Sequence, residues 1–128
     1  MTTPTTHSTH KPNVTWFEIA VSDLAKATKL YEATIDTTLK PEAFLGVPHS
    51  IFQGPDGPIG ALIDDPKRSV TGGHSTVIYL RVDNVARALA RAVEAGAKVV
   101  QPETSLGPQG TFALIEDFDK NVVGIHAR

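Results

Sequence analysis

Sliding the chain over itself by 61 residues brings its two halves into register without a gap. Thr15 falls on Thr76, Val21 on Val82, and Ala25 and Ala27 on Ala86 and Ala88. Farther on, Pro41 and Glu42 fall on Pro102 and Glu103, Leu45 and Gly46 on Leu106 and Gly107, and Asp56 on Asp117. Nine identities in one ungapped frame argue for duplication. Two copies are too few for a solenoid, whose stacked units need more neighbours to bury a core. The copies must instead close on one another, and 128 residues leave room for one domain.

Each copy reads as βαβββ. Residues 14–21 alternate, with Phe17, Ile19 and Val21 on one face and Trp16, Glu18 and Ala20 on the other. Ser22 is placed to cap a helix in which Leu24, Ala27, Leu30 and Tyr31 recur at helical spacing, ending near residues 35–37. Residues 39–43, 47–52 and 59–64 read as strands, the last two separated by the turn Gly54-Pro55-Asp56-Gly57-Pro58. In the second copy residues 75–82 alternate, Asp83 caps a helix reaching Glu94 or Ala95, and Gly96 ends it. Residues 98–101, 111–115 and 122–126 complete the set. The expected fold is α+β, two βαβββ repeats forming a curved mixed sheet around a pocket. The repeats occupy residues 13–64 and 74–128 of a single domain at 13–128, with a polar linker at 65–73. Residues 1–12 hold almost nothing that can be buried and read as a disordered tail.

Composition narrows the function. The chain is 41% hydrophobic and 20% charged, enough for a packed core. No apolar run approaches the roughly 20 residues that span a bilayer. The first twelve residues lack the apolar stretch of a secretory signal, so a cytoplasmic location is expected. Without cysteine there is neither a disulfide nor a thiolate metal site. A net charge of -2 gives no basic footprint for nucleic acid or an anionic membrane surface. A small-molecule ligand is the partner that remains.

Period-two alternation assigns the faces. Phe17, Ile19 and Val21, with Ile78, Leu80 and Val82, are expected to face the helices, as are Leu62, Val123 and Ile125. The opposite face carries Trp16, Glu18 and Ala20, then Val77, Tyr79 and Arg81, then Ala61 and Ile63, and Val122, Gly124 and His126. That mixture of aromatic, apolar and ionisable groups suits a ligand pocket. Glu18 is a candidate general base, or a carboxylate that reaches solvent or pairs with Arg81. His126 is a candidate acid/base, and Glu18 with His126 is the alternative site for a divalent metal. Tyr79 offers a hydrogen bond or a stacking surface, Trp16 a pocket wall, and Arg81 an anion contact or a surface ion pair.

Other candidates have simpler readings. His7 and His10 read as solvated tail residues, and His49 and His74 as loop or strand residues outside the site. Glu116, Asp117 and Asp119 resemble a calcium cluster, but turn hydrogen bonding explains them more simply. Leu106-Gly107-Pro108-Gln109-Gly110 lacks a lysine and leads into no helix, so it is a lip over the pocket rather than a phosphate loop.

The segments that carry this pattern are Val21-Ser22-Asp23-Leu24-Ala25-Lys26-Ala27 before Leu30-Tyr31, and Tyr79-Leu80-Arg81-Val82-Asp83-Asn84-Val85. They continue through Ala95-Gly96-Ala97-Lys98-Val99, Phe112-Ala113-Leu114-Ile115-Glu116-Asp117 and Asp119-Lys120-Asn121. In this order they resemble the vicinal oxygen chelate superfamily of glyoxalase I, bleomycin- and fosfomycin-resistance proteins and extradiol dioxygenases, over residues 13–127. The ending Val123-Gly124-Ile125-His126 is similar to that of glyoxalase-like members. The resemblance implies the glyoxalase/bleomycin resistance/dioxygenase fold and a homodimer. It also implies metal ligands from the first and last strands of each half, at positions that here are Trp16, Val77, Ile63 and Gly124. None of these side chains coordinates a metal, so no cofactor is expected at those positions.

Two functions from different classes follow. One is a metal-free pocket for a small aromatic or hydrophobic molecule, lined by Trp16, Tyr79, Arg81, Ile63, Val77 and Gly124. The other is a lyase or isomerase acting on a small oxygenated substrate, with Glu18 and His126 as acid/base residues or relocated metal ligands. For a third, purely structural role the sequence suggests no exposed apolar helix or strand.

Overall fold

The computed structural model describes residues 11–68 and 76–128. The expectations for His7, His10 and His74 lie outside them, as does the linker beyond Arg68. The elements are β1 (Val14–Ala20), α1 (Leu24–Ile35), β2 (Lys40–Phe44), β3 (Val47–Gly54), β4 (Gly57–Ile63) and β5 (Thr76–Arg81). They continue with α2 (Val85–Glu94), β6 (Lys98–Ser105), a 3-10 turn at Gly107–Gln109, β7 (Thr111–Glu116) and β8 (Val122–Ala127).

The strands form one eight-stranded sheet in the order β2-β3-β4-β1-β5-β8-β7-β6, curled into a half-barrel. The order is palindromic about its centre. β1 runs parallel to β4 and β5 parallel to β8, while β1 and β5 join the halves as antiparallel neighbours. Phe17 pairs with Ile78 across that seam. These two are equivalent positions in the repeat, so the pseudo-twofold axis passes between them.

Each helix begins one residue later than the sequence suggested. Asp23, not Ser22, caps α1 by accepting from the Lys26 backbone N–H at 3.0 Å, and Asn84, not Asp83, caps α2 by accepting from that of Arg87 at 2.9 Å. The first helical residue decides the choice. Leu24 and Val85 must turn inward, which leaves the preceding residue extended and free to reach the third helical amide. Gly96, at φ 112°, ends the region of α2 as expected.

Both sheet edges carry the duplicated proline, Pro41 in β2 and Pro102 in β6, where a missing N–H does no harm and discourages a further strand. β6 is longer than the expected 98–101. Register shifts either side of Gln101 let the chain bulge through Pro102 and pair again at Thr104.

On the outer face α1 covers Leu39, Phe52 and Leu62, with Phe17, Ile19 and Tyr31 packed around them. α2 covers Ala113 and Ile125 through Val85 and Ala88. The expectation that Ile78 and Leu80 also lie under a helix fails, since they remain 43% and 37% exposed. α2 sits over β6, β7 and β8 and stops short of β5. An apolar strip of Val14, Ile78 and Leu80 is therefore open on the outer face, where the sequence had suggested none.

Candidate functional site

The inner, concave face is built from the alternate residues of the same strands. In the first half Ala20, Ile51, Ala61 and Ile63 pack with Trp16, Phe44 and Val47. At the centre, antiparallel pairing sets Trp16 opposite Tyr79 and Glu18 opposite Val77. Trp16, Tyr79 and Gly124 thus form one cross-strand row, and Val77, Glu18 and Ala61 the next.

Three donors converge on the Glu18 carboxylate. Tyr79 Oη donates to Oε1 at 2.9 Å, Arg68 Nη1 donates to the same oxygen at 3.0 Å, and Trp16 Nε1 donates to Oε2 at 3.3 Å. The Glu18 and Arg68 side chains are only 13% and 16% exposed. A carboxylate offers about four acceptor sites, so one is left, on Oε2. The cluster satisfies a buried charge rather than leaving it poised as a base. Arg68 Nη2 is buried and, among the described residues, has no hydrogen-bond partner.

The Tyr79 phenol is held in its neutral form. Burial pushes its pKa well up, and the Glu18 charge and hydrogen bond push the same way, against a smaller opposing effect of Arg68. Its ring lies edge-on to Phe112 at 6.1 Å and covers Gly124, where a Cβ would collide with it. Glycine at position 124 is what admits the aromatic ring to the centre of the face.

The expected partner of Glu18 was Arg81; the observed one is Arg68, from the segment read as a linker. Arg81 is exposed near the end of β5, opposite His126. Nor does the structure bring Glu18 and His126 together. Glu18 is level with Val77 and His126 with Arg81, four residues apart on β5 and thus roughly 13 Å along the strand. His126 Nε2 contacts the Gln109 carbonyl at 2.8 Å, tying the expected lip to β8.

Repeat arithmetic also misplaces one position. Gly124 stands beside Tyr79, but its counterpart beside Glu18 is Ala61, not Ile63. The slip arises in the connection between β2 and β3, residues 45–46, which is shorter than that between β6 and β7, residues 106–110. Ile51, level with Ala61, already answers to Leu114, level with Gly124, two residues off the repeat frame. Ala61 offers no metal ligand either.

Three inner-face residues escaped the sequence reading. Arg68 gave no periodic signal. Phe112 was legible, since it alternates with Ala113 and pairs with His126. His49 is buried in β3 opposite Ile63, with Nδ1 at 2.8 Å from the Val47 carbonyl and its ring edge-on to Phe44. The acidic turn is as read: Asp117 accepts from the backbone N–H of Asp119 and Asn121 and from the Asn121 side chain. Among the described residues no group of three or more His, Asp or Glu side chains is arranged to hold a metal.

Shallow clefts also open on the outer side, one between α2 and β6 lined by Leu89, Val93, Val99, Glu94 and Glu103, another at the start of α1. No cluster of converging polar side chains like that around Glu18 lines either, so the concave face remains the candidate site.

This fold and its inner face define a class. The family model of the Glyoxalase/Bleomycin resistance protein/Dioxygenase superfamily matches residues 13–125, and the chain belongs to that superfamily. Solved structures share the architecture at low identity. A variant of Streptomyces coelicolor methylmalonyl-CoA epimerase, in complex with 2-nitronate-propionyl-CoA, is 17% identical with a TM-score of 0.65, covering 89% of this chain and 95% of that one. The epimerase from Mycobacterium tuberculosis is 16% identical, TM-score 0.64, covering 89% and 86%. A hypothetical protein of Bacillus halodurans is 12% identical, TM-score 0.65, covering 93% and 96%. No curated protein sequence gives a significant match. Members of the superfamily often bind a metal, but Trp16, Val77, Gly124 and either Ile63 or Ala61 have no coordinating atom, so these positions do not fit one.

Proposed function

We propose that the chain binds a small aromatic or hydrophobic molecule on its concave face, without a metal at the strand positions used by metal-dependent relatives. The observation that carries this reading is the Glu18 cluster. Trp16, Tyr79 and Arg68 occupy the centre of the face and consume most of the carboxylate's acceptor capacity. Trp16 and Phe112, both partly exposed, then present ring surface rather than ligating atoms beside the buried Tyr79 ring. Ile63, Val77 and Gly124 are buried beneath this layer, Gly124 under the Tyr79 ring itself, and Arg81 stands at its rim.

The enzymatic alternative, with Glu18 and His126 acting jointly on an oxygenated substrate, has weaker support because the strand register holds the two apart. A homodimer through the open strip of Val14, Ile78 and Leu80 goes with the binding role. Among the described residues no helix is long and apolar enough to cross a membrane. The cysteine-free sequence fits a cytoplasmic setting.

Metal analysis of the purified protein, combined with a binding screen of small aromatic compounds, tests the proposal. Saturable binding of an aromatic compound to metal-free protein is the expected result. A stoichiometric metal whose removal abolishes ligand binding contradicts it.

A further inference from the structure

We propose that the outer cleft between α2 and β6 is a second binding site, taking a small organic cation in which an ammonium group is carried on an apolar body. It stands apart from the reading of the concave face, and neither depends on the other.

The cleft has a volume of about 600 Å³ and lies where α2 meets the edge strand β6. A volume of that size suits a small-molecule ligand. Leu89, Ala90, Val93 and Val99 give it an apolar lining, broken by two carboxylates, Glu94 and Glu103. Val93 and Val99 remain 48% and 45% exposed, so core packing does not account for them.

The first repeat supplies an internal comparison. Counting back 61 residues, Leu89, Ala90, Val93 and Val99 fall on Thr28, Lys29, Glu32 and Thr38, all of them polar. Two of these are satisfied within the fold. Thr28 Oγ1 shares a hydrogen bond with Ser50 Oγ at 2.7 Å, and Glu32 Oε2 accepts from the Leu39 backbone N–H at 2.8 Å. The same helix–strand junction is thus a polar contact in one copy and an apolar hollow in the other. Both copies build the same half-sheet, so the βαβββ unit does not itself require that hollow.

Charge selects the occupant. No basic side chain lines the cleft, and Ala90 stands where the first copy has Lys29. Among the described residues neither the Glu94 nor the Glu103 carboxylate makes a hydrogen bond or an ion pair. An anionic ligand would meet two like charges, and a neutral one gains nothing from either. An ammonium head pairs with the carboxylates while its apolar body covers Val93 and Val99. Apolar contact supplies the affinity, and the carboxylates supply the selection, because exposed ion pairs are individually weak.

The test uses the intact protein and three probes that share one body: phenylbutylamine, phenylbutanol and phenylbutyrate. Backbone amide resonances of Ala90, Val93 and Val99 report on the cleft, and the indole N–H of Trp16, the single tryptophan, reports on the concave face. The amine is expected to move the cleft signals saturably and to bind about fivefold tighter than the alcohol, with the butyrate weakest. Glu94→Gln combined with Glu103→Gln keeps the shape and removes the charge. It should bring the amine down to the affinity of the alcohol and leave the alcohol unchanged. Equal affinity for amine and alcohol, or an amine affinity indifferent to the double variant, overturns the proposal. So does tightest binding by the butyrate. A response at Trp16 alone puts the probe on the concave face, which overturns this site and leaves the other standing. Cleft signals that shift with protein concentration alone mean that a second copy covers this face, and no saturable shift with any probe means that nothing of this class binds; both overturn it.

Discussion

Glu18 and Tyr79, hydrogen-bonded at 2.9 Å, are equivalent positions of the two repeats, 61 residues apart. Duplication brought two copies of one strand position to the centre of the concave face, and divergence made one an acceptor and the other a donor. Every other feature of the candidate site is arranged around that bond.

The bond gives Tyr79 a marked pH signature. Its pKa is raised above the ordinary phenol value of 10.0 by burial first and by Glu18 second. A group with a raised folded-state pKa gives its full stability below the unfolded value and loses it as pH rises beyond that value. Phenolate absorbance should therefore show Tyr79 still protonated well above pH 10, with its proton released on unfolding. Urea melts should show stability falling as pH climbs past about 10, with a shallower fall in Tyr79→Phe.

Gly124→Ala tests the packing of the same ring. In an ordinary strand this substitution stabilises by about 0.5–1 kcal/mol. Here the new methyl group meets the Tyr79 ring, and a loss of about 1–3 kcal/mol is expected in denaturant melts, together with a shift of the Trp16 signal. A neutral or stabilising result would mean that the ring does not cover position 124.

Most of the fold was legible because duplication printed it twice. Alternation at Phe17, Ile19 and Val21 and the capping segments located the strands and helices within a residue or two, except for the end of β6 at Ser105, four residues beyond the expected one. The site was harder. Trp16, Glu18 and Tyr79 emerged from parity alone, since strand periodicity fixes which side chains share a face. Arg68 did not, because a side chain reaching back from an irregular segment leaves no periodic trace. The partnership of Glu18 with His126 failed for a related reason: parity gives the face but not the distance along it. The slip that puts Ala61 in place of Ile63 came from unequal turn lengths, which an ungapped frame hides.

Asp117 offers a test of the β7–β8 turn. The Asn121 side chain first, then backbone N–H groups, hold its carboxyl below the usual range. A depressed folded-state pKa contributes stability above the unfolded value, about 3.9, and loses it as pH falls. Asp117→Ala should melt earlier than wild type near neutrality, and the gap should narrow below about pH 4.

The open outer strip predicts an assembly. If copies pair through Ile78 and Leu80, Leu80→Glu places a charge in that contact while disturbing little else, since Leu80 is exposed in the single chain. Light scattering should report a dimer for wild type and a monomer for the variant. A wild-type monomer would remove the pairing reading.

The central claim is that the middle of the concave face is a hydrogen-bonded cluster around Glu18 rather than a chelate. Titrating cobalt(II) while following the Trp16 indole N–H signal tests it most directly, because that N–H donates to Glu18 itself. The expected result is a signal unchanged in position and width at one equivalent of cobalt. Stoichiometric broadening or a large paramagnetic shift would contradict it, by putting a metal where the carboxylate, phenol and guanidinium are described as satisfying one another.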